Sequence, residues 1–202
     1  MRTAAAAAII LLLGIWATSS ITLGFEAITT EQARRLDISR KQPAVPDVRL
    51  IDQSGQAFRF DEWVQEEHKH LIVDFIYTNC RTLCRSLGTE FQQLQRGIVE
   101  RGLQERVHLL SVSFDPAHDS PAVLQQYAGH MQAIPDVWTF ATVGDERELD
   151  ALLRTFGVTV IPDRLGGFQH NAALVQVAPS GRLVEVSDLD TGDRALGELA
   201  GS

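Results

Sequence analysis

The stretch Leu71-Ile-Val-Asp-Phe-Ile-Tyr-Thr-Asn-Cys80-Arg-Thr-Leu-Cys84-Arg-Ser-Leu-Gly-Thr-Glu-Phe-Gln-Gln-Leu94 decides the fold, and it holds the only two cysteines of the chain. Leu71 to Tyr77 is an apolar, β-branched and aromatic run of strand length that ends at Thr78-Asn79, where a turn or cap is expected. From Cys84 onward Leu87, Phe91 and Leu94 recur at helical spacing, with polar Thr89, Glu90, Gln92 and Gln93 between them. The cysteines therefore sit where a strand hands over to a helix. There the free backbone N–H groups and the positive helix end favour thiolate over thiol, and Arg81 and Arg85 push the same way. Cys80 and Cys84, four apart, can face one side of a helical turn. Such a pair can close a disulfide, or hold a soft ion such as Cu(I) as two thiolates; tetrahedral zinc would need two further ligands.

The rest of the composition narrows the setting. A chain of 202 residues, 45% hydrophobic, suits one compact domain with a targeting segment. Its net charge of -8, without a lysine or arginine cluster, leaves no electrostatic footprint for nucleic acid. Two cysteines are too few for a disulfide scaffold and read as a redox or metal pair. Residues 1–25 carry Arg2 and then run uncharged from Thr3 to Phe25, as a signal sequence or a transmembrane anchor would. No compelling small-x-small cleavage site precedes Glu26, so the reading taken is an anchor, with cleavage and secretion as the alternative. Either way the cysteines are expected beyond a membrane, where disulfides are permitted.

Residues 26–46 read as a polar tether, with a short helix over Glu31 to Leu36 and Pro43 and Pro46 at its end. The domain is expected over 47–202. Val48 to Ile51 and Ala57 to Phe60 flank a glycine turn as a hairpin, and Asp61 to Glu67 forms a helical turn with Trp63 inward. Val107 to Phe114 and Trp138 to Val143 are further strands. Helices are expected from Pro121, with proline in its usual first-turn place, and over Glu146 to Phe156. A loop from Thr159 to Gln169 leads to a terminal hairpin of Ala172 to Ala178 and Leu183 to Val186. This order gives an α/β fold, a mixed sheet with helices on both faces plus an N-terminal and a C-terminal hairpin. Ligands in such sheets lie at the carboxyl ends of strands, which would bring Cys80 and Asp115 together.

Three blocks in this order carry a family resemblance. Asp74-Phe-Ile-Tyr-Thr-Asn-Cys-x-x-x-Cys84, Ser111-Val-Ser-Phe-Asp-Pro116 followed by Asp119-Ser120-Pro121, and a lone His170 ahead of Ala172 to Arg182 resemble the Sco/SenC family of membrane-anchored copper proteins. The resemblance covers about residues 45–190. It implies a thioredoxin-like fold and a copper metallochaperone that assists assembly of the copper centre of a haem-copper (cytochrome c) oxidase. Copper would be held by Cys80, Cys84 and His170. The implied partners are the oxidase copper subunit and a copper donor protein, and the implied place is the periplasmic side of the inner membrane. The family commonly has proline after each cysteine, whereas Arg81 and Arg85 stand here, adding charge in place of stiffness.

Asp74 argues for a second function. It interrupts an apolar strand six positions ahead of Cys80, resembling the thioredoxin pattern in which a buried acid shuttles protons during disulfide exchange. On that alternative the chain is a thiol-disulfide reductase that keeps the cysteines of a copper acceptor reduced. Cys80 would attack, Cys84 resolve and Asp74 move the proton. A peroxidase is disfavoured, since Val73 and Tyr77 replace the proline and threonine of that family's Pro-x-x-x-Thr-x-x-Cys pattern. His68 and His70 read as solvated, and His108, His118 and His130 as structural or surface residues.

Overall fold

A computed structural model describes residues 2–21, 29–79, 83–163 and 167–201, with the side chains of 2–8, 21, 83–87, 190 and 201 outside that description. Cys80 and Arg81 therefore lie outside the described residues, as do the side chains of Cys84 and Arg85. In chain order the elements are α1 (Arg2–Ile21), α2 (Thr30–Lys41), β1 (Arg49–Asp52), β2 (Ala57–Arg59), α3 (Phe60–Glu67), β3 (His70–Ile76), α4 (Leu83–Glu100), β4 (Val107–Ser113), α5 (Pro121–His130), β5 (Trp138–Val143), α6 (Glu146–Phe156), β6 (Val160–Pro162), β7 (Phe168–His170), β8 (Leu174–Val177), β9 (Leu183–Ser187) and α7 (Gly192–Gly201).

Seven strands form one mixed sheet in the order β2-β1-β5-β4-β3-β8-β9. β3, β4 and β5 run parallel at its centre, in the register Leu71↔His108 and Leu109↔Trp138. The hairpins β1–β2 and β8–β9 flank them antiparallel. Strand periodicity then sorts the core into two halves. Leu71, Val73 and Phe75 of β3 pack with Leu110 and Val112 of β4 under Ile38 of α2, Phe60 and Val64 of α3 and Leu152 and Phe156 of α6. On the opposite face Ile72, Ile76, Leu109, Trp138 and Phe140 lie under Phe91, Leu94 and Ile98 of α4, Leu124 of α5 and Leu196 and Leu199 of α7. This is the thioredoxin-like arrangement, helices on both faces of a mixed sheet.

Three features depart from the expectation. Residues 30–46 are not a free tether. Thr29 caps α2 through a capping box, Ile38 is buried, and Arg34 Nε–H donates to the Phe156 carbonyl at 3.0 Å. Val45 N–H donates to Gly181 O at 2.8 Å and Leu183 N–H to Pro43 O at 2.9 Å, which lays the segment after α2 along the turn into β9. The Thr159 to Gln169 loop contains an additional antiparallel ribbon, β6–β7, so His170 ends a strand of its own rather than preceding the terminal hairpin through a loop. Finally, α7 closes the second core. Gly97 permits its approach, because a Cβ there would stand 2.9 Å from Leu196 Cδ1.

Among the described residues no helix is long and apolar enough to cross a membrane. The described apolar side chains of α1, Ile9 to Leu13, Ile15 and Trp16, are 50–71% exposed, so this helix buries them against nothing in the domain.

Candidate metal centre

β3 ends at Ile76, and the backbone continues through Tyr77 and Thr78 to exposed Asn79. Two devices fix this exit. Phe114 N–H donates to Ile76 O at 3.0 Å, holding the carboxyl ends of β3 and β4 side by side. Beside them Asp119, only 1% exposed, accepts from Thr78 N–H at 3.0 Å, from the Thr78 hydroxyl and from Ser113 Oγ at 2.6 Å. A buried carboxylate with three donors is satisfied only in this arrangement, so the turn after β4 clamps the chain two residues ahead of Cys80. Asp115 shapes the same turn, bonding its carbonyl to Asp119 N–H at 2.8 Å and its carboxylate to His118 Nδ1 at 2.9 Å.

His170 stands over this exit. Its ring packs 5.0 Å from Phe114 and 6.5 Å from Tyr77, centroid to centroid, and Phe168 closes the aromatic group. Both ring nitrogens are buried, and neither has a hydrogen-bond partner among the described residues. Burial lowers the imidazole pKa, which favours the neutral form a metal binds. An imidazole in this state is costly unless something is added to it. Next in the chain, Asn171 is held from three directions: its Oδ1 accepts from Thr159 N–H at 2.7 Å, and its Nδ2 donates to Gly157 O at 3.1 Å and to Glu31 at 3.3 Å.

Asp74 lies below the exit on the α4 face and is 1% exposed. Burial pushes its carboxyl up to about 7, against the opposing effect of a hydrogen bond from Ser111. Ser111 Oγ in turn accepts from Trp138 Nε1 at 2.9 Å, and Asp74 Oδ1 is without a partner among the described residues. The carboxyl is thus desolvated, with no cation paired to it among the described residues.

The described structure brings His170 to the chain segment that leads into Cys80, and places Asp74 three residues further back in the same strand. Among the described residues it gathers no group of three His, Cys, Asp or Glu side chains that could hold a metal ion. His108 is buried on Thr139 Oγ1 at 2.8 Å, with its pKa lowered to about 4 chiefly by burial, and is a structural histidine as expected. His70 is half-buried rather than solvated, because it opens β3. Sequence reasoning quoted Asp119 but gave it no role, and passed over Tyr77 and Asn171 as site residues. Each has a partner far off in the chain, 41, 91 and 140 residues away, so only the Asp-Pro…Asp-Ser-Pro spacing hinted at any of them.

Fold and site together define a thioredoxin-like protein with a histidine ribbon at the carboxyl edge of its sheet, over the strand exit that leads to a Cys-x-x-x-Cys pair. A model of the SCO1/SenC family matches residues 37–198. The SCO1 protein homolog of Bacillus subtilis is 28% identical over 116 residues, 56% of this chain and 59% of that protein, so this chain spans about three fifths of that relative. Among solved structures, copper-bound ScoI of Bradyrhizobium japonicum superimposes with a TM-score of 0.63 at 22% identity, over 78% of this chain and 98% of that one. BsSco, a member of the Sco family of cytochrome c oxidase assembly proteins in which a disulfide switch is identified, gives 0.67 at 21%, over 78% and 92%. The chain belongs to the SCO1/SenC family.

Proposed function

We propose that this protein is a copper metallochaperone in which Cys80 and Cys84 hold Cu(I) as thiolates and His170 is the third ligand. The metal is cargo, passed by ligand exchange to the copper subunit of a haem-copper (cytochrome c) oxidase after loading by a copper donor protein. The observation that carries this reading is the His170 imidazole, whose two ring nitrogens are buried without a partner among the described residues and whose pKa burial lowers, beside the exit toward Cys80. Two thiolates suit Cu(I), and an added imidazole suits Cu(II) as well. The copper held by the Bradyrhizobium relative and the oxidase-assembly role of BsSco support it.

Copper titration of the reduced full-length chain tests it. One copper per chain is expected, with Cu(I) binding abolished by Cys80→Ser or Cys84→Ser. His170→Ala should retain Cu(I) and weaken Cu(II) by at least about tenfold. Copper binding that survives loss of both cysteines would sink the reading.

Asp74 supports the second function, a thiol-disulfide reductase acting on the acceptor's cysteines. Its raised pKa matches a group that takes up and returns a proton near neutral pH. The two readings share the sulfurs and part at these residues. Asp74→Asn should slow dithiol exchange and spare Cu(II), and His170→Ala should do the reverse.

On this proposal α1 is the membrane anchor and the domain faces the periplasm. The sequence from Thr3 to Ala8, ahead of the exposed Ile9 to Leu13, carries no charge. Alkaline carbonate should leave the chain in the membrane pellet; release into the supernatant would mark α1 as a cleaved or peripheral segment.

A further inference from the structure

We propose that Tyr77 is the positioning residue that sets where His170 stands relative to the cysteine pair. This rests on His170 being a copper ligand.

Tyr77 belongs to both halves of the centre. Through the backbone it lies three residues ahead of Cys80. Through its hydroxyl it grips the histidine ribbon, donating to the Phe168 carbonyl and accepting from the Phe168 N–H, each at 3.3 Å. Phe168 lies two residues before His170 in β7. The backbone runs close here, since a Cβ on Gly167 would stand 3.2 Å from the Tyr77 hydroxyl. The ring is buried between Phe114 and Phe168, at centroid distances of 5.3 and 5.2 Å.

No described hydrogen bond aims the His170 imidazole, so two things orient it: ring packing and the backbone that carries it. That backbone is fixed on both sides. After His170, Asn171 ties it to the carboxyl end of α6 through Gly157 O and Thr159 N–H. Before it, Tyr77 ties it to the end of β3. The Asn171 side references the histidine to the scaffold, and among the described hydrogen bonds those of the Tyr77 hydroxyl reference it to the strand that continues toward Cys80. Removing the hydroxyl while keeping the ring therefore loosens the histidine ribbon from the end of β3 without opening the core.

The experiment compares full-length wild type, Tyr77→Phe and His170→Ala by Cu(I) affinity, by the Cu(II) electron paramagnetic resonance spectrum and by Cu(II) loss to a chelator. For Tyr77→Phe, Cu(I) affinity should stay within about twofold of wild type. Its Cu(II) spectrum should become heterogeneous and Cu(II) loss about five- to tenfold faster, as loss of one net hydrogen bond would give. Hydrogen exchange of the Phe168 and His170 amides in the copper-free protein supplies a readout without metal, and should quicken in the same variant.

If Tyr77→Phe matches wild type in spectrum and release rate while His170→Ala differs, the inference is overturned and the copper reading stands. Exchange at Phe168 that is unchanged also overturns it. If wild type shows no Cu(II) signal that depends on His170, both fall.

Discussion

Replacing Asp74 by asparagine is expected to make the reduced, copper-free protein more stable than wild type at pH 8 and to leave it nearly unchanged near pH 4. The unfolded carboxyl titrates near 3.8, whereas in the folded state burial pushes it up to about 7. Below pH 4 both states hold the proton and ionisation contributes nothing unfavourable. Between these values the unfolded chain releases a proton that the folded one keeps, so stability falls as pH rises. Above pH 7 the folded protein carries a desolvated charge, at a cost on the order of 4 kcal/mol. Asparagine has no such charge and accepts the Ser111 hydroxyl equally well. Chemical unfolding at the two pH values reads this directly, and equal differences at both would remove the ionisation account. The same result bears on function, because a carboxyl that titrates near neutrality inside the core is kept at a standing energetic cost that packing alone does not explain.

Asp119→Ala should cost about 3 kcal/mol or more, measured as a shift in the unfolding midpoint at constant slope. The substitution strips one acceptor group from three donors, the Thr78 amide, the Thr78 hydroxyl and the Ser113 hydroxyl, in a place where water has little access. Each buried donor left unsatisfied costs about 1–3 kcal/mol. Asp119→Asn should fall between the two, since one carboxylate oxygen becomes a donor facing donors. The strand exit toward Cys80 loosens with it, so the dithiol reduction potential should move in step with stability. A loss below about 1 kcal/mol would show that solvent satisfies these groups.

Much of the fold was legible because it is written in local periodicity. The largely apolar runs of β3 and β4, the Trp138 to Val143 strand and the Leu149, Leu152, Leu153, Phe156 face of α6 each lie within one element. What escaped depends on distant partners or on short elements. The sequence of α2 is mostly polar, and its seat is decided by one buried Ile38 and by the bond from Arg34 to Phe156 O, 122 residues away. The ribbon β6–β7 has three residues a side, with Pro162 in one of them, which reads as loop. The helix α7 carries glycines at 192, 197 and 201 that mask the buried Ala195, Leu196 and Leu199. The candidate site divides in the same way. His170 and Asp74 were marked by their chemistry against an unlike background, whereas Tyr77, Asp119 and Asn171 acquire roles only from partners that folding brings to them.

The docking of α2 has a consequence for reach. A free stretch from Ile21 to Pro46 would let the domain roam to about 88 Å from the end of α1, at roughly 3.5 Å per residue. With α2 seated on the domain, Thr29 stands at most about 28 Å from Ile21, the limit that about eight residue steps allow. On the anchored reading the domain patrols a shallow shell against the bilayer. The local concentration it presents to a membrane-held acceptor rises as that shell shrinks, and an acceptor whose site stands further from the lipid is out of range.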